Sequence, residues 1–177
     1  MLKRELPAQA EAPAIVGVRT VRAGEYLDQA LATLFAAARP QLGYAAARDT
    51  YARWTADVRY TPDGLLIAED KDRLLGAAIV YPTAHTDTGE PAEAQLTDLL
   101  TDQNLDPSTR GDVQSALVAA VLRSGTAMGA AVARAVVACP YLAETLRAAG
   151  FAVADTIRYY TPPDAARTDQ VPFAYVR

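Results

Sequence analysis

The 177-residue chain holds one cysteine, one histidine and one tryptophan. A lone cysteine excludes an internal disulfide framework, and with one histidine it cannot complete a zinc site of the usual kind. Nucleophilic catalysis of the Ser-His-Asp or Cys-His type would have to pass through His85, which stands in a polar loop and reads as solvated. There is no excess of base either. Lys+Arg 17 against Asp+Glu 21 leave a net charge of −4, which argues against a nucleic-acid or anionic-membrane partner. No uncharged run approaches the ~20 residues of a membrane span. The most apolar long stretch, 127–138, is broken by Gly129 and Arg134. The opening residues 1–7 carry charge with no apolar core behind it, unlike a secretory leader, so the expected location is the cytoplasm. An alanine-rich, lysine-poor composition points to a bacterial source. Few reactive side chains remain, so any chemistry has to lean on a bound cofactor and on backbone groups.

What the chain does have is a hydrophobic content of 51%, enough for the core of one domain at roughly 100–200 residues per domain. Residues 1–13 read as a flexible tail, and 14–177 as a single domain. The pattern predicts a strand over 15–22 and helices over 25–38 and 45–58, the second with Tyr51, Trp54 and Val58 on one side. Pro40 and Gly43 are expected to stop the first helix. Thr61-Pro62-Asp63-Gly64 is a turn, and 65–69 and 74–81 form an antiparallel hairpin whose continuous apolar runs imply cover on both faces. A third strand over 94–101 places Ala94, Leu96, Asp98 and Leu100 on one face. A helix is expected over 112–128, a buried strand over 131–138, and a helix over 141–149 that starts after Pro140 and ends at a left-handed Gly150. Strands over 151–160 and 171–176 close the chain.

The most informative stretch is Leu105-Asp106-Pro107-Ser108-Thr109-Arg110-Gly111-Asp112-Val113-Gln114-Ser115-Ala116-Leu117. It leaves a strand, turns at proline and opens a helix, and a helix N-terminus with a nearby arginine is suited to a phosphate. The alternative is an ordinary junction capped by Asp112 or Ser108. Asp106-Pro-x-x-Arg110-Gly111 before an alanine-rich helix, then a strand, a helix and Ala149-Gly150-Phe151, resembles the GNAT acetyltransferase superfamily. The resemblance covers roughly residues 15–176. It implies an α/β (α+β) fold with a mixed, mostly antiparallel sheet flanked by helices on both faces. It also implies acetyl-coenzyme A as the donor. Its pyrophosphate would lie on the amides of Arg110, Gly111, Asp112, Val113, Gln114 and Ser115, with Leu105 in the same loop. Its pantetheine arm would run beside Leu99 and Leu100. Val113 stands where the family has its second glycine. Cys139 stands where members often have asparagine near the cofactor, and Leu146 where many have the tyrosine that protonates the leaving thiolate. Tyr141 is the nearest substitute acid. Cys139 also reads as a small buried hydrophobe. The segment 101–104 lengthens the strand before the loop by about three residues.

The reaction implied is acetyl transfer to a primary amine of a small molecule or peptide. Asp98 is the first choice for general base, because a carboxylate between Leu96 and Leu100 would be desolvated. Its alternatives are a pair with an arginine or a turn cap. Glu69 is the second choice. Tyr44, Tyr51, Trp54 and Tyr60 fall in the two-helix region that lines the acceptor pocket in the family. The rival reading, which Val113, Cys139 and Leu146 favour, is a catalytically weak or silent module that binds coenzyme A or another ligand as a sensor or partner domain. No metal site is expected, and the oligomeric state stays open, a homodimer included.

Overall fold

Leu65 to Ala68 and Leu74 to Tyr81 are apolar at every position but Gly76, and a strand of that kind needs cover on both faces. A computed structural model describes residues 1–5, 17–20, 28–70, 73–83, 92–137 and 140–154. In chain order these form β1 (Leu2–Glu5), β2 (Gly17–Thr20), α1 (Asp28–Ala38), α2 (Gly43–Ala56), β3 (Leu65–Asp70) and β4 (Arg73–Thr83). Then come β5 (Glu93–Thr101), α3 (Pro107–Ala127), β6 (Val132–Ala135), α4 (Pro140–Ala148) and β7 (Ala152–Val153). The strands make one sheet in the order β2-β3-β4-β5-β6-β1-β7. Every pair is antiparallel except β5 and β6, which α3 joins as a parallel crossover.

Side chains alternate between the two faces along Leu65–Ala68 of β3 and Ala77–Tyr81 of β4. Leu66, Ala78 and Val80 face α3, where they meet Val113, Leu117, Val118 and Val121. Leu65, Ile67, Ala77, Ile79 and Tyr81 face the opposite way, onto Leu31, Leu34 and Phe35 of α1 and Trp54 of α2. Helices therefore cover both faces, as the apolar runs require. α3 packs close because β4 carries Gly76, where a Cβ would stand 2.7 Å from Leu100 O and 2.9 Å from both Leu117 and Val113 side-chain carbons.

Several expectations need correction. Residues 2–5 are not a tail: β1 lies between β6 and β7, with Leu2 buried and the Arg4 guanidinium donating to Ala149 O at the end of α4. Gly43 does not end a helix but begins α2, after a short 3-10 turn at Pro40–Leu42. Val58 lies beyond α2 and is 99% exposed, so it is no part of the α2 stripe. α3 begins at Pro107, five residues before the expected start. Its N-cap is Asp106, neither Asp112 nor Ser108. Proline at the first helical position lacks an N–H that would be unpaired there in any case. Gly150 does adopt the left-handed conformation, with φ +87°. Of the strand expected over 15–22 the structure describes Gly17–Thr20, and of that over 151–160 it assigns β7. His85, Cys139 and the strand expected over 171–176 lie outside the described residues.

Candidate functional site

Past Leu96 the sheet opens. β6 pairs with β5 only over Glu93 to Leu96, the last pair being Leu96 with Ala135. β5 continues along β4 to Thr101. Among the described residues, the β6 side of β5 from Thr97 onward has no strand partner, so a wedge opens there with backbone groups along one wall. At its start sits a bulge. Ile79 pairs with Asp98 and Val80 with Leu96, leaving Thr97 as an extra, exposed residue.

The bulge overturns the expected parity of β5. Ala94 and Leu96 face α3, but the extra residue turns Asp98 and Leu100 to the α1–α2 face and Leu99 back to α3. Asp98 there meets Arg39, just past the end of α1. The guanidinium donates to Asp98 Oδ1 at 2.6 Å, and the Leu99 N–H donates to the same oxygen at 3.0 Å. The carboxylate side chain is 14% exposed and the arginine 30%. Burial raises the Asp98 pKa above the usual carboxylate value, and the Arg39 charge and the Leu99 hydrogen bond offset this only in part. Both sequence readings of Asp98 thus meet in one group: it is desolvated and it is paired with an arginine. Arg39 itself was missed. The only hint of it is its place after the apolar stripe of α1.

The start of α3 was expected to receive the pyrophosphate of coenzyme A, and its residues do not fit that group. Pro107 has no N–H. The Thr109 N–H donates to Asp106 Oδ1 at 3.0 Å, and the Arg110 N–H to Asp106 O at 2.9 Å. From Gly111 onward the amides lie inside the helix and bond to the carbonyls four residues back. The hydrogen bonds from Thr109 hold the Asp106 carboxyl below its usual range, so a fixed negative charge stands at the helix entrance. Arg110 turns back onto the loop, donating to Gln103 O and Leu105 O at 2.9 Å each and to Gln103 Oε1 at 3.2 Å. Its Nε is buried. Nothing lies within 4 Å of where a Gly111 Cβ would stand, so a side chain could be accommodated there. Val113 is fully buried against Gly76, facing the sheet and not the proposed phosphate. Its β-branched side chain therefore obstructs nothing.

The remaining candidates are scattered. Leu99 and Leu100 lie on the open stretch of β5, and Leu105 packs at the edge of the α3 core. Gln114 donates to Thr101 Oγ1 at 3.4 Å and accepts from Thr145 Oγ1 at 3.3 Å, tying β5, α3 and α4 together. Asp112 and Ser115 are exposed on α3. Glu69 does not join Asp98. Asp98 lies opposite Ile79 and Ile79 opposite Leu65, so Glu69 stands four residues further along, about 13 Å at ~3.3 Å per residue, and two strands across, a further ~9–10 Å at ~4.8 Å per strand. Tyr141 is 77% exposed on the first turn of α4, and Leu146 is fully buried in the core. Of the aromatic set, Trp54 is buried and edge-on to Phe35, Tyr51 and Tyr60 are half-buried against the same cluster, and Tyr44 is exposed. Among the described residues no cluster of His, Cys, Asp and Glu could hold a metal ion, and no helix is long and apolar enough to cross a membrane.

Neither a protein-family model nor a curated protein matches the chain. Solved structures do. An aminoglycoside acetyltransferase from an uncultured soil metagenomic sample, in complex with sisomicin, is similar with a TM-score of 0.63 at 14% identity, over 82% of this chain and 95% of that one. A transcriptional regulator from Bacillus halodurans C-125 gives 0.63 at 14%, over 82% and 99%. Aminoglycoside N-acetyltransferase AAC(6′)-Iy, in complex with CoA, gives 0.58 at 16%, over 86% and 99%. At such identities the likeness shows the fold, which is GNAT-like: a mixed, mostly antiparallel sheet between helices.

Proposed function

We propose that the chain transfers an acyl group from a thioester to a primary amine, of a small molecule or a peptide, at the wedge between β5 and β6. One observation carries this reading: a desolvated carboxylate, Asp98, stands two residues past the point where the strands part. Acetyl-coenzyme A is the donor that the resemblance implies, and one similar acetyltransferase was solved with CoA. The open edge of β5 suits the extended thioester arm, which can pair with it as an added strand would.

The neutral amine nitrogen bonds to the thioester carbonyl carbon and Asp98 accepts one of its protons as the bond forms. The carbon–sulfur bond breaks, the thiolate leaves and takes a proton from water, and the hydroxide so formed takes up the Asp98 proton. A base contributes ~10²–10⁴-fold to such a step, and holding the two reactants in line contributes more. The test is thiol release from an acetyl thioester against a panel of primary amines. Asp98→Asn should lower the rate at least ~10²-fold, whereas an unchanged rate removes Asp98 as the base.

The buried Leu146 and the outward Tyr141 favour a second reading, a ligand-binding module without catalysis, because α4 then presents no acid to the thiolate. Thioester binding without thiol release for any amine would select it.

A further inference from the structure

We infer that this chain recognises its acyl donor by the thioester arm alone, so that a donor without a nucleotide diphosphate serves it as well as acetyl-coenzyme A. The inference rests on the acyl-transfer reading and narrows its substrate class.

A helix N-terminus binds a diphosphate through unpaired N–H groups and its positive dipole end. In α3 both are already engaged. The first helical residue has no N–H, the backbone N–H groups of the second and third act on the Asp106 carboxylate, the third donating to Oδ1, and the fourth donates to Asp106 O. The Asp106 carboxylate already complements the dipole and would repel a second anion at the same spot. The one cation of the motif, Arg110, has its terminal nitrogens on Gln103 and Leu105, and its Nε, though without a hydrogen-bond partner, is buried away from an incoming anion. Admitting a diphosphate would require the first turns of α3 to unwind, with loss of the aspartate–proline cap and of the Arg110 bonds to the loop. The wedge needs no such change, since among the described residues the β6 side of β5 has no strand partner from Thr97 onward. One end of the site is therefore ready for the arm, and the other is closed to the nucleotide.

The experiment is calorimetric titration of the chain with S-acetyl-pantetheine, acetyl-coenzyme A and 3′-phospho-ADP, the nucleotide diphosphate of coenzyme A without its arm. The two thioesters should bind with dissociation constants within roughly threefold of each other, and the nucleotide alone should not bind at millimolar concentration. Each charge-assisted hydrogen bond to a diphosphate would contribute on the order of tenfold in affinity. A preference of roughly 30-fold or more for acetyl-coenzyme A, or binding of 3′-phospho-ADP, overturns the inference. If neither thioester binds, the acyl-transfer reading itself falls and takes the donor inference with it. Arg110→Ala supplies a second readout, because it should change both thioester constants by the same factor. A loss confined to acetyl-coenzyme A would make Arg110 a diphosphate ligand and overturn the inference.

Discussion

The two faces of the central sheet use the same strands for different ends. On the α3 side β4 and β5 meet apolar side chains except at the end of β5, where Gln114 reaches Thr101, and Gly76 lets Val113 and Leu117 approach the backbone closely. On the α1–α2 side the floor is equally apolar, yet it carries the Arg39–Asp98 pair. There too the Tyr81 hydroxyl donates to Trp54 O at 2.9 Å, and the Arg39 and Arg59 guanidiniums lie 4.9 and 4.7 Å from the centres of the Phe35 and Tyr81 rings. Polar groups need partners when buried, and each of these has one. A single extra residue, Thr97, assigns Asp98 to this second face. The largely apolar face holds the fold, and the face with partnered charges carries the base we propose.

Leu117→Ala should therefore produce the largest loss of stability, about 2–5 kcal/mol in a denaturant titration, through lost burial and a cavity that α3 cannot close. Gly76→Ala should follow at roughly 1–3 kcal/mol, because one of the atoms in its way, Leu100 O, is backbone. Asp98→Asn on the other face acts on the rate of transfer. If Leu117→Ala left stability unchanged while Asp98→Asn unfolded the chain, the division of labour between the faces would be reversed.

A subtler variant probes the charged face directly. Arg39 opposes the effect of burial on Asp98, so Arg39→Ala should raise the Asp98 pKa further. The base works only when deprotonated, so activity rises as pH passes upward through that pKa. The acid limb of the pH–rate profile should thus move to higher pH in Arg39→Ala. A limb that stayed in place would mean that another group titrates. A purely structural pair predicts lost stability without any movement of the limb.

Much of this was legible in the residues, and the illegible parts share a cause. Continuous apolar runs marked β3 and β4 and predicted cover on both faces, because burial on each side leaves no room for polar alternation. The stripe Leu31, Leu34, Phe35 marked α1 in the same way. β1 escaped notice because Lys3, Arg4 and Glu5 look like a solvated end, and its pairing with β6 depends on residues some 130 positions away. The parity of Asp98 escaped because nothing local in Gln95-Leu96-Thr97-Asp98 announces a bulge, which β4 and the splaying of β6 bring out. The start of α3 was different. Asp106-Pro107 is a cap followed by proline at the first helical position, a local signal in plain view. Reading the helix from its Ala/Leu/Val run over 112–128 places the boundary five residues too late, and with it the expectation of free amides.

That boundary also supplies the smallest effect, where the comparison of faces reaches the end of α3. Asp106→Ala removes the acceptor for the Thr109 N–H and frays the first turn, so a modest fall in Tm should follow. Asp106→Asn keeps an acceptor in place and caps about as well as aspartate, so its Tm should stay near that of the parent chain. Hydrogen exchange locates the difference: the amides of Thr109 and Arg110 should exchange faster in the alanine variant only, while those of Val118 to Leu122 stay protected by the core. Equal exchange in all three proteins would show that α3 holds its start without Asp106. The closed cradle would then rest on the packing of Arg110 against Gln103 and Leu105, and the same measurement on Arg110→Ala would decide between the two supports.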